Sequence, residues 1–206
     1  EGASRLLAVS SYLADVALGA GADPKRLSVH YQGVDTHWWT PAPNTAGPCE
    51  EPVVLFVGAL SRLKGVDDLA RASATLVGRR PHRLVLVGEG PLEAGLRERA
   101  PAHVTFAGRL DREGVREWVH RAHVLVLPTK PTQGRQEAAG LVLLEAQACG
   151  VPVIAYRTGG TPEMIAPGAS LLTQERSPDA LARSIDEALA WSEDERADRG
   201  AACRAW

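Results

Sequence analysis

Two glutamates with a fixed spacing stand in residues 136–164, QEAAGLVLLEAQACGVPVIAYRTGGTPEM. Glu145 lies inside an apolar helical stretch, where a carboxylate is costly to bury unless it accepts hydrogen bonds or faces a ligand. Glu137 comes eight positions earlier, just before this helix begins near Gly140. The free N–H groups of the first turn, from Gly140 to Val142, form an anion site that the helix dipole favours. The arrangement suits a ligand with hydroxyl groups on either side of a phosphate. The alternative is that Glu137 is a solvated loop residue and Glu145 an exposed helix position.

A second candidate segment carries two cations in VGALSRLKG, residues 57–65. It follows the first strand of the predicted large domain, and ligands of open α/β sheets bind at the carboxyl ends of strands. Arg62 and Lys64 could therefore neutralise a diphosphate, Arg by bidentate bonds and Lys as a point charge. Taken alone, the pair is more simply explained as ordinary surface cations.

The elements that must position these side chains alternate between short apolar runs and amphipathic helices. The runs are continuous, as in strands buried on both faces of a parallel sheet, and lie at 53–57, 84–87, 104–106, 124–127 and 153–155. Helical stretches are predicted at 66–77, 92–99, 113–121, 141–149 and 178–191. The alternation predicts an α/β fold, a doubly wound Rossmann-like parallel sheet with helices on both faces.

Composition excludes several classes of protein. With 23 Lys and Arg against 25 Asp and Glu, the net charge of -2 gives no electrostatic support to nucleic-acid binding. The hydrophobic content of 45% is too high for intrinsic disorder. Three widely spaced cysteines without a CxxC argue against a disulfide scaffold or a zinc ribbon. No apolar run approaches the roughly 18 residues needed to span a bilayer.

The chain divides at a segment rich in Pro and turn formers, which predicts a linker at residues 41–51. Residues 52–192 then form one α/β domain, and residues 193–206 a C-terminal helical tail. Residues 1–40 hold a predicted strand at 6–9, a helix at 11–18 and a strand at 27–31. A βαβ piece of that size cannot cover its own sheet faces, so we interpret it as the end of a preceding domain whose earlier part is missing.

The ordered motifs resemble glycosyltransferase family 4, whose members are retaining enzymes of the two-Rossmann-domain GT-B fold. Glu137 and Glu145, with LEAQACGVPVI and GGTPE after them, resemble its E-x7-E region. The segments AVS and GVD, at residues 8–10 and 33–35, resemble the closing βαβ of its N-terminal domain. VGALSRLKG, VGEGP and VTFAG resemble successive turns of its C-terminal, donor-binding domain.

The resemblance implies a hexosyltransferase that takes a UDP- or GDP-sugar as donor and needs no metal or other cofactor. Lys64 would hold the donor diphosphate, Glu145 the ribose hydroxyls and Glu137 the sugar hydroxyls, with Glu137 and Lys64 as the catalytic pair. The remaining donor-binding positions would meet the phosphates, the sugar or the nucleobase: Ala139, Gly140, Leu141, Val142, Arg109 and Leu110. The family often has Arg where Ala59 stands, so Arg62 is a candidate replacement for that cation. It often has Gly-Phe where Ala138 and Ala139 stand, which predicts a differently shaped sugar pocket.

The same resemblance implies a hydroxyl acceptor, such as a saccharide in polysaccharide biosynthesis, a lipid-linked saccharide or a natural product. The missing N-terminal domain would bind it, and would allow peripheral association of a cytoplasmic protein with the inner face of the membrane. This fragment alone is expected to be inactive. A GT-B sugar-nucleotide epimerase and a non-catalytic nucleotide-binding module are the alternatives.

His120 and His123 have helical spacing but no accompanying carboxylates or cysteines, so no metal site is predicted. Trp38 and Trp39 could grip a sugar, but we favour an interdomain joint.

Overall fold

The structure, a computed structural model, describes residues 4–42, 51–132 and 134–206, so most of the predicted linker lies outside the described residues. The strands are β1 Leu6–Ala8, β2 Leu27–Val29, β3 Val53–Val57, β4 Arg83–Val87, β5 Val104–Gly108, β6 Val124–Leu127, β7 Val153–Tyr156 and β8 Leu171–Thr173. The α-helices are α1 Ser11–Gly19, α2 Val66–Leu76, α3 Glu93–Glu98, α4 Arg112–Arg121, α5 Leu141–Ala148, α6 Pro178–Ala190 and α7 Glu193–Ala205. A 3-10 turn spans Thr161–Met164.

A six-stranded sheet in the order β5-β4-β3-β6-β7-β8 forms the centre of the molecule, and every neighbouring pair is parallel. Strands β3, β4, β6 and β7 are almost wholly buried, which confirms the prediction from their continuous apolar runs. Strand β5 lies at the sheet edge and is half-buried throughout. The edge strand β8 was not predicted, because three residues are too short to give a periodic signal.

Helices flank the sheet, and the predicted α/β Rossmann-like fold is confirmed. Helix α2 packs against α6, and α5 packs against α7. Helix α6 begins at Ser177, whose side chain accepts from the Ala180 N–H, and Pro178 follows in the first turn, where it needs no N–H donor. The end of α7 is held by Arg204, which donates to the carbonyl oxygens of Trp39 (2.9 Å) and Ala148.

Residues 4–42 add a small parallel sheet of β1 and β2 with α1 beside it. Its apolar side chains are only partly covered: Leu7 is 67% exposed. Glu163 ties α1 to the large sheet, because its carboxylate accepts from the Ser11 and Tyr12 N–H groups at 2.7 and 2.9 Å. Burial alone would raise the pKa of Glu163, but these two bonds, with one from the Tyr31 hydroxyl, lower it below its ordinary value. No helix of the described ranges has the length and apolar character to cross a bilayer.

Candidate functional site

A cleft of about 350 Å³ opens at the carboxyl edge of the large sheet. Strand order reverses between β3 and β6, and the segments that follow these two strands line the cleft together with Trp39 and the start of α4. Open α/β sheets bind ligands at such a switch point. Seven of the ten residues predicted to bind a donor line this cleft: Lys64, Leu110, Glu137, Gly140, Leu141, Val142 and Glu145.

The catalytic pair predicted from the sequence is in direct contact. The Lys64 Nζ atom lies 2.5 Å from Glu137 Oε2, and Thr129 Oγ1 donates to the same oxygen at 3.0 Å. Thr129 is fully buried, while the Lys64 and Glu137 side chains are 26% and 12% exposed. The carboxylate of Glu137 is therefore held by one cation and one hydroxyl at the floor of the cleft.

The loop that carries Glu137 is fixed by the turn after β7. The Gly160 N–H donates to the Glu137 carbonyl at 3.0 Å, and the Gly159 N–H donates to the Gln136 side chain at 3.0 Å. Gly159 has a φ of +53°, and a Cβ there would lie 2.2 Å from the Glu137 carbonyl oxygen. Only glycine permits this close approach, which explains the Gly-Gly pair that the sequence places after β7.

Helix α5 begins at the cleft, where the first N–H groups of a helix have no partner within the helix itself. Its N-cap Gly140 is left-handed, with a φ of 78°, and no side chain caps this end within the described residues. Leu141 and Val142 of the first turn line the cleft. The N–H groups and the positive end of the helix dipole are thus available to an anion.

Glu145 faces the cleft one turn further along α5. Burial raises the pKa of its carboxyl group, and the charge of Arg112 partly opposes that rise. Arg112 also lines the cleft, and its guanidinium lies over the rings of Trp38 (5.0 Å) and Trp39 (5.5 Å). Arg112 was missed in the sequence, where it carries no signal besides its place at the start of a helix.

The tryptophan pair, predicted to form an interdomain joint, lies beside the cleft. Trp39 is 1% exposed and belongs to the core of the sheet domain, and it also lines the cleft. The adjacent Trp38 accepts Arg116 against its ring at 4.0 Å. The two aromatics therefore fix the arginines of α4 beside the site.

Three predicted residues lie outside this cleft. Arg109 lines a neighbouring groove, which shares Val57, Gly58, Leu110 and Val115 with the cleft. Arg62 is exposed on the loop after β3, and Ala139 is buried in the core. The structure therefore does not bring Arg62 into the cleft beside Lys64.

His120 and His123, in and just after α4, are each hydrogen-bonded to a backbone atom. His120 Nε2 is hydrogen-bonded to the Thr40 carbonyl at 2.8 Å, and His123 Nδ1 accepts from the Val53 N–H at 3.1 Å. Burial lowers the pKa of His123 to about 4. Within the described ranges, no group of three or more His, Cys, Asp or Glu side chains is arranged to hold a metal ion.

Comparison with known proteins gives the chain a family. Residues 51–190 match the family described as Glycosyl transferases group 1. D-inositol 3-phosphate glycosyltransferase 2 of Catenulispora acidiphila is 36% identical over 171 residues, which cover 73% of this chain and 39% of the relative. A GDP-mannose-dependent monoacylated alpha-(1-6)-phosphatidylinositol monomannoside mannosyltransferase of Corynebacterium glutamicum is 35% identical over 144 residues, or 67% of this chain and 38% of the relative. The chain thus spans about two fifths of the length of these curated relatives.

Solved structures agree with the fold. Sucrose-phosphate synthase from Thermosynechococcus elongatus superposes with a TM-score of 0.84 at 28% identity, over 100% of this chain and 53% of that one. The Anabaena protein HepE, solved in complex with UDP and glucose, gives a TM-score of 0.84 at 22% identity, over 98% of this chain and 58% of that one. The match over residues 51–190 and the 36% identity to the Catenulispora relative establish that the chain belongs to the group 1 glycosyl transferases.

Proposed function

We propose that this chain is the donor-binding half of a retaining family 4 glycosyltransferase that uses a UDP- or GDP-sugar. The observation that carries the proposal is the convergence of Lys64, Glu137, Glu145 and the free end of α5 on one cleft at the switch point of the sheet. Relatives add support, since one is named GDP-mannose-dependent and HepE was solved with UDP and glucose.

Each part of the donor has a matching group in the cleft. Lys64 and the N–H groups at the start of α5 bind the diphosphate, and the Glu145 carboxylate accepts from the ribose hydroxyls. Glu137 accepts from hydroxyls of the sugar. The nucleobase lies towards Leu110 and the groove beside Arg109, which continues from the cleft.

The reaction develops negative charge on the β-phosphate as the glycosyl bond breaks. Lys64 and the α5 N-terminus stabilise that charge, and this positioned electrostatic effect is a large part of catalysis in such sites. The acceptor hydroxyl attacks from the face that the diphosphate leaves and gives its proton to the departing β-phosphate oxygen, so the anomeric configuration is kept. Glu137 positions the sugar in this scheme and forms no covalent bond to it. The donor itself brings the diphosphate, and we propose no metal or cofactor.

Residues 1–40 are proposed to close an N-terminal acceptor domain. The β1-β2 pair is a two-stranded parallel sheet with exposed apolar side chains, and parallel strands are stable only with both faces covered. The acceptor is a hydroxyl compound held by that domain, through which the cytoplasmic protein meets the membrane. Two relatives are named for D-inositol 3-phosphate and for a phosphatidylinositol monomannoside, which makes a phosphorylated inositol derivative the first acceptor to test.

Calorimetric titration of the chain with UDP, GDP, UDP-glucose and GDP-mannose tests the proposal. We expect one nucleoside diphosphate and its sugar to bind, and we expect the chain alone to transfer sugar poorly. Product analysis of the longer protein with and without acceptor separates the alternatives, because an epimerase changes the donor without any acceptor. Absence of nucleotide binding contradicts the proposal, and so does robust transfer by residues 1–206 alone.

A further inference from the structure

The ion pair in the cleft joins two groups that the proposed function gives to different parts of the donor. Lys64 is the diphosphate cation and Glu137 the sugar ligand, yet their side chains are 2.5 Å apart. They come from loops after β3 and β6, and neither has another ionic partner within the described ranges. Thr129 donates to the same Glu137 oxygen that Lys64 contacts.

A phosphate that approaches Lys64 is repelled by the negative charge of Glu137. The ammonium group has three donors, so it could in principle serve both anions. Two acceptors on one nitrogen, however, lie only about 4–5 Å apart, and like charges at that distance repel in a partly desolvated site. A nucleoside diphosphate must therefore either displace Glu137 from Lys64 or bind against its charge.

The intact donor relieves this conflict. Its sugar hydroxyls donate to the Glu137 carboxylate and replace the hydrogen bonds that Lys64 supplied. A nucleoside diphosphate without sugar offers no such donors, and it leaves a carboxylate that is 12% exposed with only the Thr129 hydroxyl. A partly buried charge that loses its partner is strongly disfavoured.

We infer that Glu137 discriminates the intact nucleotide-sugar from the nucleoside diphosphate product by competing for Lys64. This inference rests on the proposed function and adds a role at the same site. After transfer the sugar hydroxyls leave, the carboxylate returns to Lys64, and the nucleoside diphosphate is released. Glu137 thus exchanges Lys64 for the sugar hydroxyls when the donor binds, and the reverse exchange accompanies release of the product.

The test is calorimetric titration of UDP, GDP, UDP-glucose and GDP-mannose into wild type, Glu137→Gln, Lys64→Met and the double variant. Glu137→Gln keeps the shape and an acceptor but removes the charge. We expect it to bind the nucleoside diphosphate about tenfold more tightly, which corresponds to about 1.4 kcal/mol. The affinity for the nucleotide-sugar should rise less or fall, so that the preference for the intact donor shrinks. With Lys64→Met already present, Glu137→Gln should give a smaller gain.

A matched control is Asp186→Asn, which removes a carboxylate from an ion pair with Arg80 at 2.9 Å, away from the cleft. It should leave both affinities at their wild-type values. Glu137→Ala serves as a second variant, and circular dichroism shows whether each protein is folded. Unchanged or weaker nucleoside diphosphate binding by folded Glu137→Gln and Glu137→Ala overturns the inference while the proposed function stands. If no nucleotide binds wild type or any variant, the proposed function fails and the inference with it.

Discussion

Replacement of Glu145 by glutamine should change stability and ligand binding in opposite directions. Burial raises the pKa of Glu145 in the folded chain above its value in the unfolded chain. The charged carboxylate therefore destabilises the ligand-free protein at neutral pH. This penalty disappears as the pH falls below the pKa of the unfolded chain, about 4.3. Glu145→Gln removes the charge, so the empty protein should become more stable above that pH.

The expected magnitudes follow from the position of the side chain on α5. It is half-buried and faces an open cleft, so water screens much of the penalty. We expect the free energy of unfolding in urea to rise by about 0.5 kcal/mol at pH 7. The loss of charge-assisted hydrogen bonds to ribose should weaken binding of the nucleoside diphosphate by about 1–2 kcal/mol.

A matched control is Glu117→Gln, which makes the same change at an exposed position of helix α4. It should alter neither quantity by more than a few tenths of a kcal/mol. Urea unfolding at pH 7 and pH 4 and calorimetric titration with UDP and GDP measure both effects. Lower stability of Glu145→Gln at pH 7, or wild-type affinity for the nucleotide, would refute the reasoning.

Three further changes test other parts of the structure. Lys64→Ala should weaken UDP or GDP binding by about 1.5–3 kcal/mol. Arg62→Ala should leave this binding unchanged, because Lys64 lines the cleft and Arg62 does not. Equal losses in calorimetry would show that Arg62 reaches the ligand. Folding lowers the pKa of His123 from 6.5 to about 4. Between pH 6.5 and pH 4 the unfolded chain therefore takes up a proton that the folded chain does not, and stability should fall as the pH falls. His123→Gln should reduce this loss of stability by about 1 kcal/mol. Identical profiles of unfolding free energy against pH for wild type and His123→Gln would contradict the prediction. Gly159→Ala should displace the loop of Glu137 and lower thermal stability by several degrees, since its Cβ would overlap the Glu137 carbonyl. An unchanged melting temperature would exclude that close approach.

The fold could be predicted from the sequence because burial leaves a local pattern. Continuous apolar runs identified the five longer strands, and amphipathic stretches together with the apolar stretch at 141–149 identified five of the helices. The position of Gly140 predicted where α5 begins and where its free N–H groups lie. Strand β8 was beyond such prediction, because three residues at a sheet edge give neither length nor period.

Tertiary structure decided which of these residues meet. Lys64 and Glu137 are 73 positions apart, and they pair because β3 and β6 are neighbours at the point where strand order reverses. Arg112 lines the cleft and lies over the rings of Trp38 and Trp39, which are more than 70 positions away in the sequence. Arg62, two residues from Lys64, points instead to solvent. Local patterns encode how much of each segment is buried, but strand order and loop conformation determine which side chains share a cleft, and those depend on contacts between distant parts of the chain.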